Sequence, residues 1–88
     1  MAKVIPHAVL SDLGLIVSME APLEERRSRA AGRIVEFKSD VLGDHAYASV
    51  REKFPADLAH DLQAILGHPE TTGERYSVYQ AALDALTD

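Results

Sequence analysis

The amino-acid sequence predicts an all-α fold, a small bundle of four to five helices in a single domain that spans residues 1–88. Thirteen of the 88 residues are alanine, the residue with the highest helix propensity. Apolar residues recur three and four positions apart in most segments, which is the period of a helix. Gly67 and Pro69 follow one of these segments, and residues of these two types end helices.

The first twenty residues are compatible with two structures. Their helical spacing predicts one buried face, made of Val9, Leu10, Leu13, Ile16 and Val17. The alternative is an α+β fold that begins with a β-hairpin over residues 4–20, with strands Val4–Leu10 and Leu15–Glu20. Frequent β-branched residues favour strands, and Gly14 can supply the positive φ of a tight turn. We prefer the helix because the whole chain is rich in alanine.

The middle segment predicts one long helix over residues 22–42. Five apolar residues share one face of that helix: Leu23, Ala30, Ile34, Phe37 and Val41. Gly43 is suited to follow its last turn. Gly32 opposes this interpretation, since glycine costs about 1 kcal/mol inside a helix. It could bend the helix, or end a shorter one and leave residues 33–38 as a strand.

The next segment predicts two helices, over residues 45–54 and 56–66. Asp44 is a suitable N-cap for the first of them. Pro55 suits the first turn of the second, where its missing N–H is not needed. Because proline also biases the preceding residue away from helical angles, we expect a break at Phe54.

The C-terminal segment predicts a helix over residues 72–86. Thr71 and Glu74 have the spacing of a capping box, in which each side chain binds the other residue's amide. Apolar and aromatic residues then recur at helical spacing: Tyr76, Tyr79, Leu83 and Leu86. Gly67 is expected to adopt the left-handed conformation that ends the preceding helix.

The charge is unevenly distributed along the chain, whose formal net charge is −5. Residues 1–38 carry six basic and five acidic side chains, whereas residues 39–88 carry three basic and nine acidic ones. An acidic chain is repelled by phosphate at long range, so nucleic acid is an unfavourable default partner. The first half of the chain is not acidic, so this repulsion does not apply to it.

Several classes of protein are disfavoured by the composition. With no cysteine, the chain has no disulfides, no thiolate metal site and no cysteine nucleophile. No apolar run approaches the roughly 20 residues of a membrane helix, and no signal peptide is recognisable, so we expect a cytoplasmic protein. The common nucleotide-binding and hydrolase motifs are missing, so we expect no enzyme activity and no cofactor.

One cluster in the predicted 56–66 helix is a candidate metal site. Asp57, His60 and Asp61 share a helix face because residues three and four apart are neighbours. Their oxygen and nitrogen atoms are suitable ligands for a divalent ion such as Zn²⁺ or Mn²⁺. The alternative, which we prefer, is the hydrated face of an amphipathic helix.

Two groups of side chains are candidates for partner binding. Arg26, Arg29 and Arg33 lie beside the apolar face of the predicted 22–42 helix, where guanidinium groups can bind carboxylates or phosphates. The alternative is that they form surface ion pairs with Glu24, Glu25 and Glu36. The second group consists of Tyr76 and Tyr79, which also fit the edge of the core.

These observations lead to three functional hypotheses. The preferred one is a small, acidic, helical protein-interaction module that regulates, inhibits or assembles with another protein. We expect it to form a homodimer, since its apolar stripes over residues 23–41 and 76–86 exceed what a small monomer readily covers. The second is a nucleic-acid-binding transcriptional regulator that uses Arg26–Arg33. The third is a small metal-binding protein.

Overall fold

The computed structural model describes residues 5–43 and 53–87, which form four helices and contain no strand. These are α1 (Ile5–Ser18), α2 (Leu23–Gly43), α3 (Lys53–Leu66) and α4 (Gly73–Thr87). The all-α prediction is therefore confirmed for this part of the chain. Most of the predicted 45–54 helix lies outside the described residues.

The alternative β-hairpin is wrong, because residues 5–18 form the single helix α1. Val9, Leu13 and Val17 are each four residues apart and all buried, so the helical period places them on one face. A strand would point alternate residues to opposite sides and would not bury this set together. Gly14 lies inside α1 and does not have a positive φ.

The long middle helix is confirmed, and it continues through Gly32 without a break. The alternative strand over residues 33–38 is therefore wrong. Its predicted apolar face is the buried one, since Ala30, Ile34, Phe37 and Val41 are almost completely inaccessible to solvent. Tertiary burial of this face outweighs the low helix propensity of one glycine.

The predicted break at Phe54 is also wrong, because α3 begins at Lys53 and includes both Phe54 and Pro55. Proline within the first helical turn interrupts no hydrogen bond. The side chain of Phe54 is buried in the core, and we attribute its helical conformation to that packing. The predicted end of this helix is confirmed, and the Gly67 amide bonds to the Gln63 carbonyl at 3.0 Å.

The start of α4 differs from the predicted capping box. The Thr71 amide donates to the His68 carbonyl at 3.0 Å, and the Glu74 carboxylate accepts from Arg26. The Thr71 amide and the Glu74 carboxylate, which bind each other in a capping box, therefore have other partners here. The left-handed glycine is Gly73, with a φ of 60°, and not Gly67 as predicted.

One hydrophobic core joins all four helices. Its α4 face is centred on Val78 and Ala82, together with Tyr79 and Leu86. The predicted apolar stripe of α4 missed Val78 and Ala82. The most extensive contact between helices is that of α2 with α4, so the two stripes assigned to a dimer interface largely cover each other within one chain.

Candidate interaction surfaces

Arg26 binds three parts of the chain at once. Its Nε donates to the Ala21 carbonyl at 2.9 Å, and its Nη1 donates to the Val17 carbonyl at 3.3 Å. Its Nη2 forms an ion pair with the Glu74 carboxylate at the start of α4. The side chain is only 11% exposed. Arg26 therefore holds the end of α1, the following turn and α4 together, and its guanidinium is engaged within the fold.

Arg33 connects α2 to α1. Its Nε donates to the Asp12 carboxylate at 2.6 Å, and its Nη1 lies 3.8 Å from a carboxylate oxygen of Glu36. Most of its side chain is buried. Two of the three arginines that were candidates for partner binding thus have interhelical partners, Asp12 and Glu74, which sequence spacing could not reveal.

Arg29 differs from the other two arginines because its side chain is 58% exposed. Its Nε lies 3.3 Å from the Glu25 carboxylate, one turn earlier on the same helix. Surface pairs of this kind contribute little to stability. The predicted ion pairs of the arginines with Glu25 and Glu36 are present, and Arg29 is the arginine of the three that remains most accessible to a partner.

An open groove of about 620 Å³ lies between α1 and α2. Its lining combines apolar residues of α1 and of the turn after it with a glycine and charged residues of α2: Leu15, Ile16, Met19, Arg29, Gly32, Arg33 and Glu36. We call this surface the α1/α2 groove. Leu15 is 72% exposed, so its side chain contributes almost nothing to the core. The groove presents apolar surface beside charges of both signs.

The glycine of this groove is not required by its surroundings. A Cβ built on Gly32 would meet no atom within 4 Å in the described structure. Glycine inside a helix nevertheless destabilises it relative to alanine. Val35, one turn further along α2, is 60% exposed. The outer side of α2 thus has an open glycine and an exposed valine that internal packing does not explain.

The candidate metal residues line a different cavity, of about 280 Å³. Asp57, His60 and Asp61 of α3 face Pro6, His7 and Leu10 of α1 across it. His60 Nδ1 lies 4.0 Å from the Asp61 carboxylate. Within residues 5–43 and 53–87, no group of three or more His, Asp or Glu side chains is arranged to hold a metal ion. The three residues share a helix face but are not brought together as a ligand set.

The two candidate tyrosines have different environments. Tyr76 is exposed, whereas Tyr79 belongs to the buried core. Tyr79 also borders a third cavity, of about 420 Å³, between α3 and the start of α4, which His68 and Arg75 line as well. The two tyrosines therefore do not form one continuous exposed surface, and Tyr76 is the accessible member of the pair.

No protein-family model, curated protein or solved structure matches this chain. None of the helices that the structure describes is both long and apolar enough to cross a membrane.

Proposed function

We propose that this chain is a small helical protein-interaction module, which regulates, inhibits or assembles with another protein by binding it at the α1/α2 groove. The observation that carries the proposal is the exposure of Leu15 in a groove that it shares with Ile16 and Met19. An apolar patch rimmed by polar residues is typical of a binding surface for another protein. A cytoplasmic location and a regulatory role are parts of this proposal.

The energetic reason is the removal of apolar surface from water. Covering a leucine side chain completely contributes about 1.5–3 kcal/mol. Leu15 obtains only a minor part of this from its own chain, because 72% of its surface is exposed to solvent. A partner that covers Leu15 supplies the missing burial.

The charged rim supplies specificity. Arg29 and Glu36 are both exposed at the groove, and complementary charges across an interface orient partners and exclude wrong ones. For the nucleic-acid alternative, only Arg27 and Arg29 of the Arg26–Arg33 cluster are exposed, whereas Arg26 and Arg33 pair with carboxylates of other helices. The metal-binding alternative has no assembled ligand set in the described part of the chain. We therefore propose neither of them.

The experiment compares two exposed apolar residues on different helices. Tagged wild-type protein, Leu15→Glu and Tyr76→Glu are each used to capture partners from an extract of the source organism. Captured proteins are identified by mass spectrometry, and binding is repeated with the purified recombinant partner. We expect a partner that binds wild type and Tyr76→Glu but is lost with Leu15→Glu.

Two results would contradict the proposal. Binding that survives Leu15→Glu and is lost with Tyr76→Glu would move the interface to α4. The absence of any protein partner, including a second copy of this chain, would exclude an interaction module. Circular dichroism of both variants ensures that a loss of binding is not a loss of folding.

A further inference from the structure

We propose that the α1/α2 groove binds a second copy of this chain, with the two α2 helices antiparallel about a two-fold axis beside Gly32. This inference rests on the proposed function, because it names the partner of the same groove. Closed two-fold dimers are the commonest soluble oligomers, and their interface uses the same patch on both copies. Such a patch must be complementary to itself.

The rim of the groove has this self-complementarity. Arg29 and Glu36 are seven residues apart in α2, so two helical turns separate them and they lie on nearly the same side of the helix. An antiparallel second helix reverses their order. With the axis between Gly32 and Arg33, Arg29 of each copy lies opposite Glu36 of the other, and the attraction occurs twice.

Gly32 lies between these two charges along α2 and lines the groove. Its missing side chain allows the backbone of another helix to approach closely. The space above its Cα is open in the described structure. Packing within one chain gives no reason for a glycine at position 32. Close approach of the second α2 does.

The apolar part of the groove adds to the same contact. Leu15 and Met19 lie beside Gly32 in the lining, and each copy contributes them in a symmetric dimer. These side chains are therefore buried in both copies, and each ion pair also forms twice. The apolar residues supply affinity, and the opposed charges fix the antiparallel direction.

The overall charge also favours this surface over the others. Each copy carries a formal net charge of −5, so two copies repel each other at long range. The groove residues all lie within the first 38 positions, where six basic side chains balance five acidic ones. Contact through the groove therefore brings together the nearly neutral halves of the two copies.

The test is a charge reversal measured by sedimentation equilibrium on the full chain. Arg29→Glu and Glu36→Arg each place like charges opposite one another, so we expect each to raise the dimer Kd at least about tenfold. The double variant restores opposite charges and should return the Kd to within about threefold of wild type. Arg75→Glu and Glu70→Arg change the same charges beside the α3/α4 cavity and should leave the Kd unchanged.

A second pair of variants tests the close approach. Gly14→Ala and Gly32→Ala each add one methyl group in open space on a helix, but only Gly32 lines the groove. We expect Gly32→Ala to weaken the dimer and Gly14→Ala to leave it unchanged. Equal effects of the two, or a double charge variant that folds but does not restore the dimer, would overturn the proposed geometry.

The result for wild type separates this inference from the function on which it rests. A wild-type chain that stays monomeric at millimolar concentration overturns the second-copy inference. If that monomer still loses a captured partner with Leu15→Glu, the proposed function stands. A dimer that resists Leu15→Glu as well as both single charge reversals would overturn the inference too, since its interface would lie elsewhere.

Discussion

The two sides of α2 differ although they belong to one continuous helix. On the inner side, Ile34 and Phe37 are buried against the other helices. On the outer side, Gly32 and Val35 contact solvent, and the space above Gly32 is open. The inner side accounts for the fold. The outer side contributes little to the fold, which is why we place the proposed interaction surface there.

The same contrast separates two arginines of α2 that are three residues apart. Arg26 donates to two carbonyls and pairs with Glu74 across the fold, whereas Arg29 has an exposed pair within its own helix. An identical side chain thus joins helices at one position and is exposed to solvent at the other. Which role it takes depends on the helices around it.

The largest change in the free energy of unfolding is expected from a substitution on the inner side of α2. Phe37→Ala removes a fully buried aromatic ring and leaves a cavity, so we expect the free energy of unfolding to fall by about 3–5 kcal/mol. Val35→Ala, two residues earlier on the outer side, should change it by less than about 0.5 kcal/mol. Urea unfolding followed by circular dichroism measures both.

This comparison can fail in two ways. A loss from Val35→Ala as large as that from Phe37→Ala would show that the outer side is packed in the monomer. A small loss from Phe37→Ala would show that the core closes around the missing ring. Phe37→Leu keeps most of the volume and provides a folded variant if the alanine variant does not fold.

The next largest change in stability is expected from Arg26, in comparison with Arg29. Arg26→Ala leaves the Val17 and Ala21 carbonyls without their donor, so we expect a loss of about 1–3 kcal/mol in the free energy of unfolding. Arg29→Ala removes an exposed pair and should cost less than about 0.5 kcal/mol. Thermal and urea unfolding of both variants measure the difference. Equal losses would contradict the assignment of Arg26 to the fold and Arg29 to the surface.

The sequence was sufficient to predict the features that depend on the spacing of apolar residues. The buried face of α2 and the all-α class both follow from residues spaced three and four apart. The break at Phe54 and the capping box at Thr71 were wrong because each was inferred from local preferences. Burial of the Phe54 ring and the distant Arg26 overrode those preferences, and no local pattern contains such contacts.

The candidate site was only partly accessible to sequence reasoning. Arg29 was among the candidate partner residues, but the groove beside it was not, since it depends on how α1 packs against α2. Gly32 was weighed only as a weakness of the predicted helix. What distinguishes Gly32 from Gly14, an equally open glycine inside α1, is its place in the lining of the groove, and that place is visible only in the structure.

The last comparison concerns three glycines, and two of them are expected to give the only gains in the free energy of unfolding. Gly14→Ala and Gly32→Ala meet no atom within 4 Å, so each should raise the free energy of unfolding by about 0.5–1 kcal/mol. Gly73→Ala also has space, but its φ of 60° is strained for alanine, so we expect a loss of about 1 kcal/mol. Urea unfolding below the concentration of dimer formation measures all three.

The outcome at Gly32 links stability to the proposed interface. A residue that lowers the stability of its own helix is kept where binding needs it, and a gain in stability then accompanies a loss of function. Gly32→Ala should therefore stabilise the monomer and weaken the dimer, whereas Gly14→Ala should only stabilise. If Gly32→Ala destabilised the monomer, the glycine would serve the fold, and the reason for assigning the outer side of α2 to a partner would be lost.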